Sequence, residues 1–146
     1  MPDRIDDAHL NGIRGAIAEC PVVAAAYLFG SVARGDASEN SDLDVAVLLR
    51  AEAHATAASA LADLTLRLER FSPNGRVDLL VLGDQSPILR HAILREGILV
   101  ADADPEVRFD YEGRTIVDYL DWKPTHDIAM EGVFEGLRAR FARGAA

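Results

Sequence analysis

The chain is poor in the residues that would allow covalent crosslinks, membrane insertion or broad binding to nucleic acid. Its 146 residues include a single cysteine, Cys20, so an internal disulfide is excluded. No apolar run approaches the roughly 18 residues that a membrane-spanning helix needs, and no signal peptide is visible. Lysine and arginine total 15 against 24 acidic residues, and the resulting net charge of −9 argues against sequence-independent nucleic-acid binding. We therefore expect a cytoplasmic protein that binds neither membranes nor nucleic acid directly.

The rest of the composition is ordinary for a single globular domain. A chain of 146 residues with 49% hydrophobic content can bury a sizeable core, so we expect one domain over residues 1–146. The four histidines show no metal-ligand spacing. The acidic surface suits a complex with a basic protein, and it is equally a common means of staying soluble. Composition alone therefore leaves the partner open.

Apolar residues recur at helix and strand spacing along the chain and predict alternating elements. Predicted helices cover residues 6–19, 51–71, 87–97 and 105–122, and predicted strands cover residues 23–29, 43–49, 76–82 and 98–101. A last helix is predicted from a helically spaced apolar set: Met130, Val133, Phe134, Leu137 and Phe141. We expect an α/β (α+β) fold in which a small mixed sheet is flanked by helices. Its core would cover about residues 6–101 and its C-terminal helical segment about residues 104–142.

The most informative stretch is residues 30–44, where Gly30-Ser31 is followed after ten residues by Asp42-Leu43-Asp44. An apolar run follows Asp44 and predicts a buried strand, in which residues i and i+2 point to the same face. Asp42 and Asp44 should therefore emerge side by side, where like charges repel and unpaired burial is costly. A divalent cation resolves this repulsion, and oxygen ligands favour magnesium or manganese.

The Gly-Ser pair lies between a predicted strand and a short predicted helix. Gly30 permits a tight turn and a close approach of a ligand to the backbone. Ser31 is expected at the helix N-cap, with free backbone N–H groups beyond it that suit phosphate. Arg34 follows one turn later, and Gly35 is expected to end the helix. A phosphate cradle beside paired carboxylates predicts a site for a metal–nucleotide complex.

These residues resemble the nucleotidyltransferase superfamily that includes DNA polymerase beta. The shared pattern is Gly-Ser, ten residues, Asp-x-Asp and a third carboxylate on a later strand, for which Asp78 is the natural candidate. In a chain this short, the version Gly-Ser-x-Ala-Arg-Gly followed by Ser-Asp-Leu-Asp is similar to the minimal nucleotidyltransferase (MNT) branch. The run at residues 118–124 also resembles that branch. Its members are typically antitoxins encoded beside a HEPT-domain toxin.

The resemblance implies an enzyme activity and a role for each motif residue. The expected catalytic residues, which would also bind one or two Mg²⁺ ions, are Asp42, Asp44 and Asp78. The expected binding residues for the phosphates of ATP are Gly30, Ser31 and Arg34. The acceptor would be a tyrosine of the HEPT toxin, which receives AMP and is neutralised. Two alternatives stay open: transfer to a small molecule such as an aminoglycoside, and a non-catalytic antitoxin that masks its toxin by binding.

Overall fold

The computed structural model describes residues 5–53 and 56–123, in which helices and strands alternate in the predicted order. The helix of residues 105–123 is α5. The other elements are α1 (Asp7–Ala18), β1 (Val23–Phe29), α2 (Gly30–Arg34), β2 (Leu43–Leu49), α3 (Ala57–Leu68), β3 (Val77–Val81), α4 (Pro87–Glu96) and β4 (Ile98–Asp102), with 3₁₀ turns at Glu69–Phe71 and Leu82–Asp84. The predicted α/β fold is confirmed, whereas the predicted last helix lies outside the described residues. No helix in the two described ranges is long and apolar enough to cross a membrane.

The four strands form one mixed sheet in the order β3-β2-β1-β4. β1 runs antiparallel to β2 and β4, whereas β2 and β3 run parallel. α3 lies in the crossover that a parallel pair requires. The sequence of β1 is apolar throughout, as expected of a strand that is covered on both faces. The parallel pairing aligns the starts of β2 and β3, where the predicted acidic residues lie.

Alternating side chains of the sheet divide the core into two layers. One layer packs beneath α1 and α3 and includes Ile13 and Leu64. The other contains Tyr27 of β1 and Ile93 of α4, with Tyr111 of α5 packed against it. Each fully buried aliphatic side chain stabilises the fold by about 1.5–3 kcal/mol relative to leaving it exposed. The sheet is therefore held between two helical layers, and α5 belongs to the second.

A charged network fastens α5 to the sheet. Tyr27 is 3% exposed, and its hydroxyl donates a hydrogen bond of 2.6 Å to Glu112 Oε1. Arg108 bridges two carboxylates, with Nε 2.8 Å from Asp102 Oδ1 and Nη1 3.1 Å from Glu112 Oε1. Burial raises the pKa of the Tyr27 hydroxyl, and the hydrogen bond to Asp102 raises the pKa of Arg108. Each charge in the network has a partner, which limits the cost of burying it.

One predicted boundary is wrong: the helix expected from residue 51 begins at Ala57. Ala51 and Glu52 form a turn instead, and the N–H of Ala53 donates to the carbonyl of Arg50 over 3.1 Å. Ala53 itself is buried in the core. The alanine-rich sequence favours a helix locally, but the chain must first turn inward from the end of β2.

Candidate active site

The chain leaves β1 through a tight turn into α2, and a carboxylate lies directly against this turn. Gly30 has a φ of 71°, a left-handed conformation that favours glycine. A Cβ at position 30 would collide with a carboxylate oxygen of Asp44 and lie 2.9 Å from its Cγ. The left-handed backbone therefore favours glycine at position 30, and a larger residue would also have to displace the Asp44 carboxylate. As predicted, α2 ends at Gly35, which has a φ of 81° and donates its N–H to the carbonyls of Ser31 and Val32.

Asp44 and Asp78 are neighbours across the parallel strands. Each is the second residue of its strand, and the two are aligned in register, so their side chains share one face of the sheet. On β1, the residue paired with Asp44 is Phe29. Burial raises the pKa of the Asp44 carboxyl above its usual range, the carboxylates of Asp78 and Asp42 raise it further, and Arg34 opposes the shift. Such a shift is typical of acidic groups that are crowded together with too little cationic compensation.

Asp42 lies just before β2 and is held by residues of the loop before β3. Its Oδ1 accepts a hydrogen bond from the Asn74 amide and lies 3.4 Å from Nε of Arg76. The same Asn74 amide donates to the carbonyl of Asn40 over 3.1 Å. Arg76 directly precedes β3, and its exposed side chain pairs with Asp42. The loop before β3 thus sets the orientation of the first carboxylate of the motif.

The chemistry of the three aspartates fits an oxygen-preferring divalent cation. Asp44 and Asp78 lie side by side, and the pKa of Asp44 is raised by burial and then by neighbouring negative charge that a cation would relieve. Across residues 5–53 and 56–123, however, no three His, Cys, Asp or Glu side chains are gathered closely enough to hold a metal ion. The contacts of Asp42 with Asn74 and Arg76 direct its carboxylate toward the neighbouring loop. The metal-ligand and catalytic roles of the three aspartates therefore stay predictions.

Ser31 lies in the first turn of α2, but the prediction that it is the N-cap is wrong. Phe29 is the N-cap, with extended backbone angles of −137° and −173°, and no side chain caps the helix. The left-handed turn at Gly30 starts the helix one residue before the serine. Because the first N–H groups of a helix have no partner within it, the backbone around Ser31 still offers donors to an anion. The phosphate-binding role of Ser31 stays a prediction.

Arg34 ends α2 beside a small cavity. Its Nε lies 3.3 Å from Asp36 Oδ2, and both side chains are more than half exposed. The cavity has a volume of about 150 Å³ and is lined by Arg34 together with Leu89 and Glu96 of α4. Sequence reasoning missed Glu96, because no spacing links a residue of α4 to the Gly-Ser motif. A larger cavity of about 590 Å³ near Phe71 is lined by none of the predicted site residues.

The sheet is mixed, a Gly-Ser turn follows β1, and carboxylates are aligned at the starts of the adjacent parallel strands β2 and β3. This is the arrangement of a nucleotidyltransferase domain. The chain belongs to the family described as Polymerase beta, Nucleotidyltransferase, whose family model matches residues 11–106. This match includes every residue predicted for the site. No curated protein sequence matches the chain.

Solved structures with a similar fold include toxin–antitoxin complexes. A toxin–antitoxin crystal structure with AMP-PNP has a TM-score of 0.66 at 23% identity, and the match covers 86% of this chain and 98% of the other. The tri-AMPylated Shewanella oneidensis HEPN toxin in complex with MNT antitoxin gives a TM-score of 0.62 at 21% identity, covering 87% and 97%. A protein described as a minimal nucleotidyltransferase gives a TM-score of 0.52 at 35% identity, covering 62% and 88%. The first two likenesses show a shared fold.

Proposed function

We propose that this protein is a nucleotidyltransferase antitoxin, which transfers AMP from ATP to a tyrosine of a HEPT-type toxin and thereby neutralises it. The observation that carries the proposal is that Asp44 lies against Gly30 and in register with Asp78, in a fold shared with a chain of toxin–antitoxin complexes. AMP-PNP in one such complex supports ATP as the donor. An AMPylated toxin beside its antitoxin in another supports the toxin as the acceptor.

Magnesium is the expected cofactor, and the residues that would hold it are Asp42, Asp44 and Asp78. When bound, the ion supplies Lewis-acid stabilisation of the negative charge on the reacting phosphate. The raised pKa of Asp44 supports this assignment, because a cation would relieve the repulsion from Asp78 and Asp42 that contributes to it.

The chain's own residues bind and orient the reactants. Ser31 and the backbone N–H groups of α2 hold the β- and γ-phosphates, so pyrophosphate leaves along the N-terminus of this helix. Arg34 offsets the negative charge that develops on the leaving group. The tyrosine oxygen forms a bond to the α-phosphorus while the bond from that phosphorus to the bridging oxygen breaks. Asp78 accepts the tyrosine proton, so the products are AMP-tyrosine and pyrophosphate.

Incubation with α-labelled ATP, Mg²⁺ and the product of the neighbouring toxin gene tests this proposal. We expect the toxin to gain label, to gain the mass of one or more AMP residues on tyrosine, and to lose its toxic activity. The Asp42→Ala, Asp44→Ala double variant should transfer nothing. Asp63→Ala is the matched control, because it removes an exposed carboxylate from α3 and should leave transfer unchanged.

Two other outcomes would identify a different function. If the double variant neutralised the toxin as well as the wild-type protein does, with no mass change, the chain would be a non-catalytic antitoxin. If no protein were labelled but an aminoglycoside-like hydroxyl compound were, the acceptor would be a small molecule. A search for label in both protein and small-molecule fractions of the same reaction separates these cases.

A further inference from the structure

The turn before β3 restricts the position of one side chain, Asn74. Residues 72–75 read Ser-Pro-Asn-Gly, and the N–H of Gly75 donates to the carbonyl of Ser72 over 3.3 Å, which closes the turn. The proline fixes its own φ, and Gly75 has a φ of 80°, so this sequence favours a tight reversal. The hydroxyl of Ser72 also donates to the carbonyl of Arg76 over 2.6 Å. Asn74 therefore projects from a turn that has few alternative conformations.

The orientation of the Asn74 amide follows from its partners. Its Oδ1 accepts the backbone N–H of Arg76 over 2.8 Å, and a backbone N–H can only donate. The amide nitrogen points the other way, where it donates to Oδ1 of Asp42 and to the carbonyl of Asn40 over 3.1 Å. Because an ionised carboxylate can only accept, both ends of the amide have partners of the right kind. Asn74 is thus fixed as a donor toward Asp42.

The same segment holds the backbone on both sides of Asp42. Asn74 reaches the carbonyl of Asn40 before it, and the N–H of Leu43 after it donates to the carbonyl of Arg76 over 3.0 Å. The Arg76 side chain adds little, because it is 78% exposed, lies 3.4 Å from Asp42, and exposed ion pairs are weak. The amide of Asn74 is therefore the main contact that orients the Asp42 carboxylate.

The two oxygens of the Asp42 carboxylate have different surroundings. In the described part of the chain, the hydrogen bond and the ion pair of Asp42 both fall on Oδ1. Oδ2 therefore keeps its lone pairs for a cation while Oδ1 stays bound to the turn. Carboxylates that bind metals are commonly held by such outer hydrogen bonds, and loss of the partner typically weakens metal binding about ten- to a hundredfold. The turn also leads directly into β3, which carries Asp78.

We propose that Asn74 is a positioning residue of the candidate active site, whose amide holds Oδ1 of Asp42 and leaves Oδ2 to bind Mg²⁺. The inference rests on the proposed function, because it takes Asp42 as a metal ligand. Asn74 touches neither the nucleotide nor the acceptor in this arrangement and acts only through Asp42. One short turn thus sets the orientation of the first carboxylate at the point where the strand of the third begins.

Binding of Mn²⁺ to the free protein, measured by electron paramagnetic resonance, tests the inference without nucleotide or toxin. Asn74→Ala should weaken Mn²⁺ binding about ten- to a hundredfold. Asn40→Ala is the matched control, because Asn74 contacts only the backbone carbonyl of the exposed Asn40, which the variant keeps. Ser72→Ala loosens the turn but keeps the amide, so it should weaken binding less than Asn74→Ala does. Circular dichroism melts without metal confirm that each variant is folded at the temperature of the titration.

A double-variant cycle shows whether Asn74 acts through Asp42. In an Asp42→Ala background, Asn74→Ala should have no further effect on Mn²⁺ binding. A loss that persists in that background, or equal losses in Asn74→Ala and Ser72→Ala, would assign the effect to the turn as a whole and overturn the inference. If Asp42→Ala itself binds Mn²⁺ normally, the metal-ligand role in the proposed function fails together with the inference. If Asp42→Ala binds weakly while Asn74→Ala binds normally, only the positioning role fails.

Discussion

Two groups of carboxylates in this molecule have opposite surroundings. Asp102 and Glu112 share the guanidinium of Arg108, whose side chain is only 13% exposed. Asp44 and Asp78 lie in register at the candidate active site, where the pKa of Asp44 stays raised although Arg34 opposes the shift. Carboxylates are therefore paired with a cation in one place and left crowded against each other in the other.

The difference separates charges that hold the fold together from charges that are available to a ligand. In the network around Arg108, every carboxylate has a cation, and loss of the cation would leave two partly exposed carboxylates beside each other without a partner. At the candidate active site, ionising Asp44 costs free energy, and a bound cation would offset that cost. Crowded acidic side chains are expected at functional sites, because catalysis and ligand binding there depend on groups with a perturbed pKa.

The largest expected effect is at the crowded pair. Asp44→Ala should reduce AMP transfer by at least ~100-fold, because even residues that only support a metal ligand typically cost ten- to a hundredfold. Its thermal midpoint without metal should not fall, since the substitution removes repulsion from Asp78 and Asp42. Turnover with labelled ATP and a calorimetric melt measure both effects. Near-normal turnover would remove Asp44 from the reaction.

The next largest effect is expected at the compensated pair. Arg108→Met keeps the apolar stem but leaves Asp102 and Glu112 without their cation, so the free energy of unfolding should fall by about 2 kcal/mol. Urea denaturation measures this change. Arg114→Met is the matched control, because the ion pair of Arg114 with Asp110 is exposed and its loss should have little effect. Equal losses in the two variants would show that the partial burial of the Arg108 network adds nothing to stability.

A smaller effect is expected at Ser31, where backbone N–H groups would donate to the same phosphates as the side chain. Ser31→Ala should weaken ATP binding by about 1 kcal/mol, because the N–H groups in the first turn of α2 remain. AMP binding should change less, since AMP lacks the β- and γ-phosphates. Titration calorimetry with both nucleotides compares the two losses. An equal loss for ATP and AMP would place Ser31 away from those phosphates.

The smallest effect concerns pH. The pKa of Asp44 is raised in the folded state, so the folded protein binds more protons than the unfolded chain between the ordinary aspartate value and the raised one. Stability should therefore fall as pH rises from about 3.9 through the raised pKa. Asp44→Asn removes the ionisable group and with it this pH-dependent loss of stability. The thermal midpoint of the variant without metal should therefore exceed that of the wild type at neutral pH, and the two midpoints should converge below about pH 4. A constant difference across pH would contradict the crowding of Asp44.

Local sequence patterns predicted the limits of two strands, and the motif resemblance predicted the third acidic residue. The strands at residues 23–29 and 43–49 have the predicted limits, because their apolar runs are bounded by clear breaks at Pro21 and Gly30 and at Asp42 and Arg50. The resemblance also selected Asp78, which the parallel register then places beside Asp44. Features that depend on the order of residues along one segment were therefore accessible from the sequence.

Features that depend on distant residues were not accessible. The amide that orients Asp42 comes from Asn74, 32 positions away, and Tyr27 reaches Glu112 across 85 positions. The preference of serine for N-caps predicted the wrong role for Ser31, because the turn geometry at Gly30 decides where α2 begins. No spacing rule links such residues, and only the folded chain brings them together.

Gly30 gives a gene of this kind a further way to lose its activity over evolutionary time, besides loss of an aspartate. Any replacement there puts a Cβ against the Asp44 carboxylate and also strains a left-handed backbone. A descendant could thus keep every acidic residue of the motif and still carry a distorted site after one codon change. Among descendants of this gene, loss of the glycine at position 30 should therefore mark silent copies even where all three aspartates are retained.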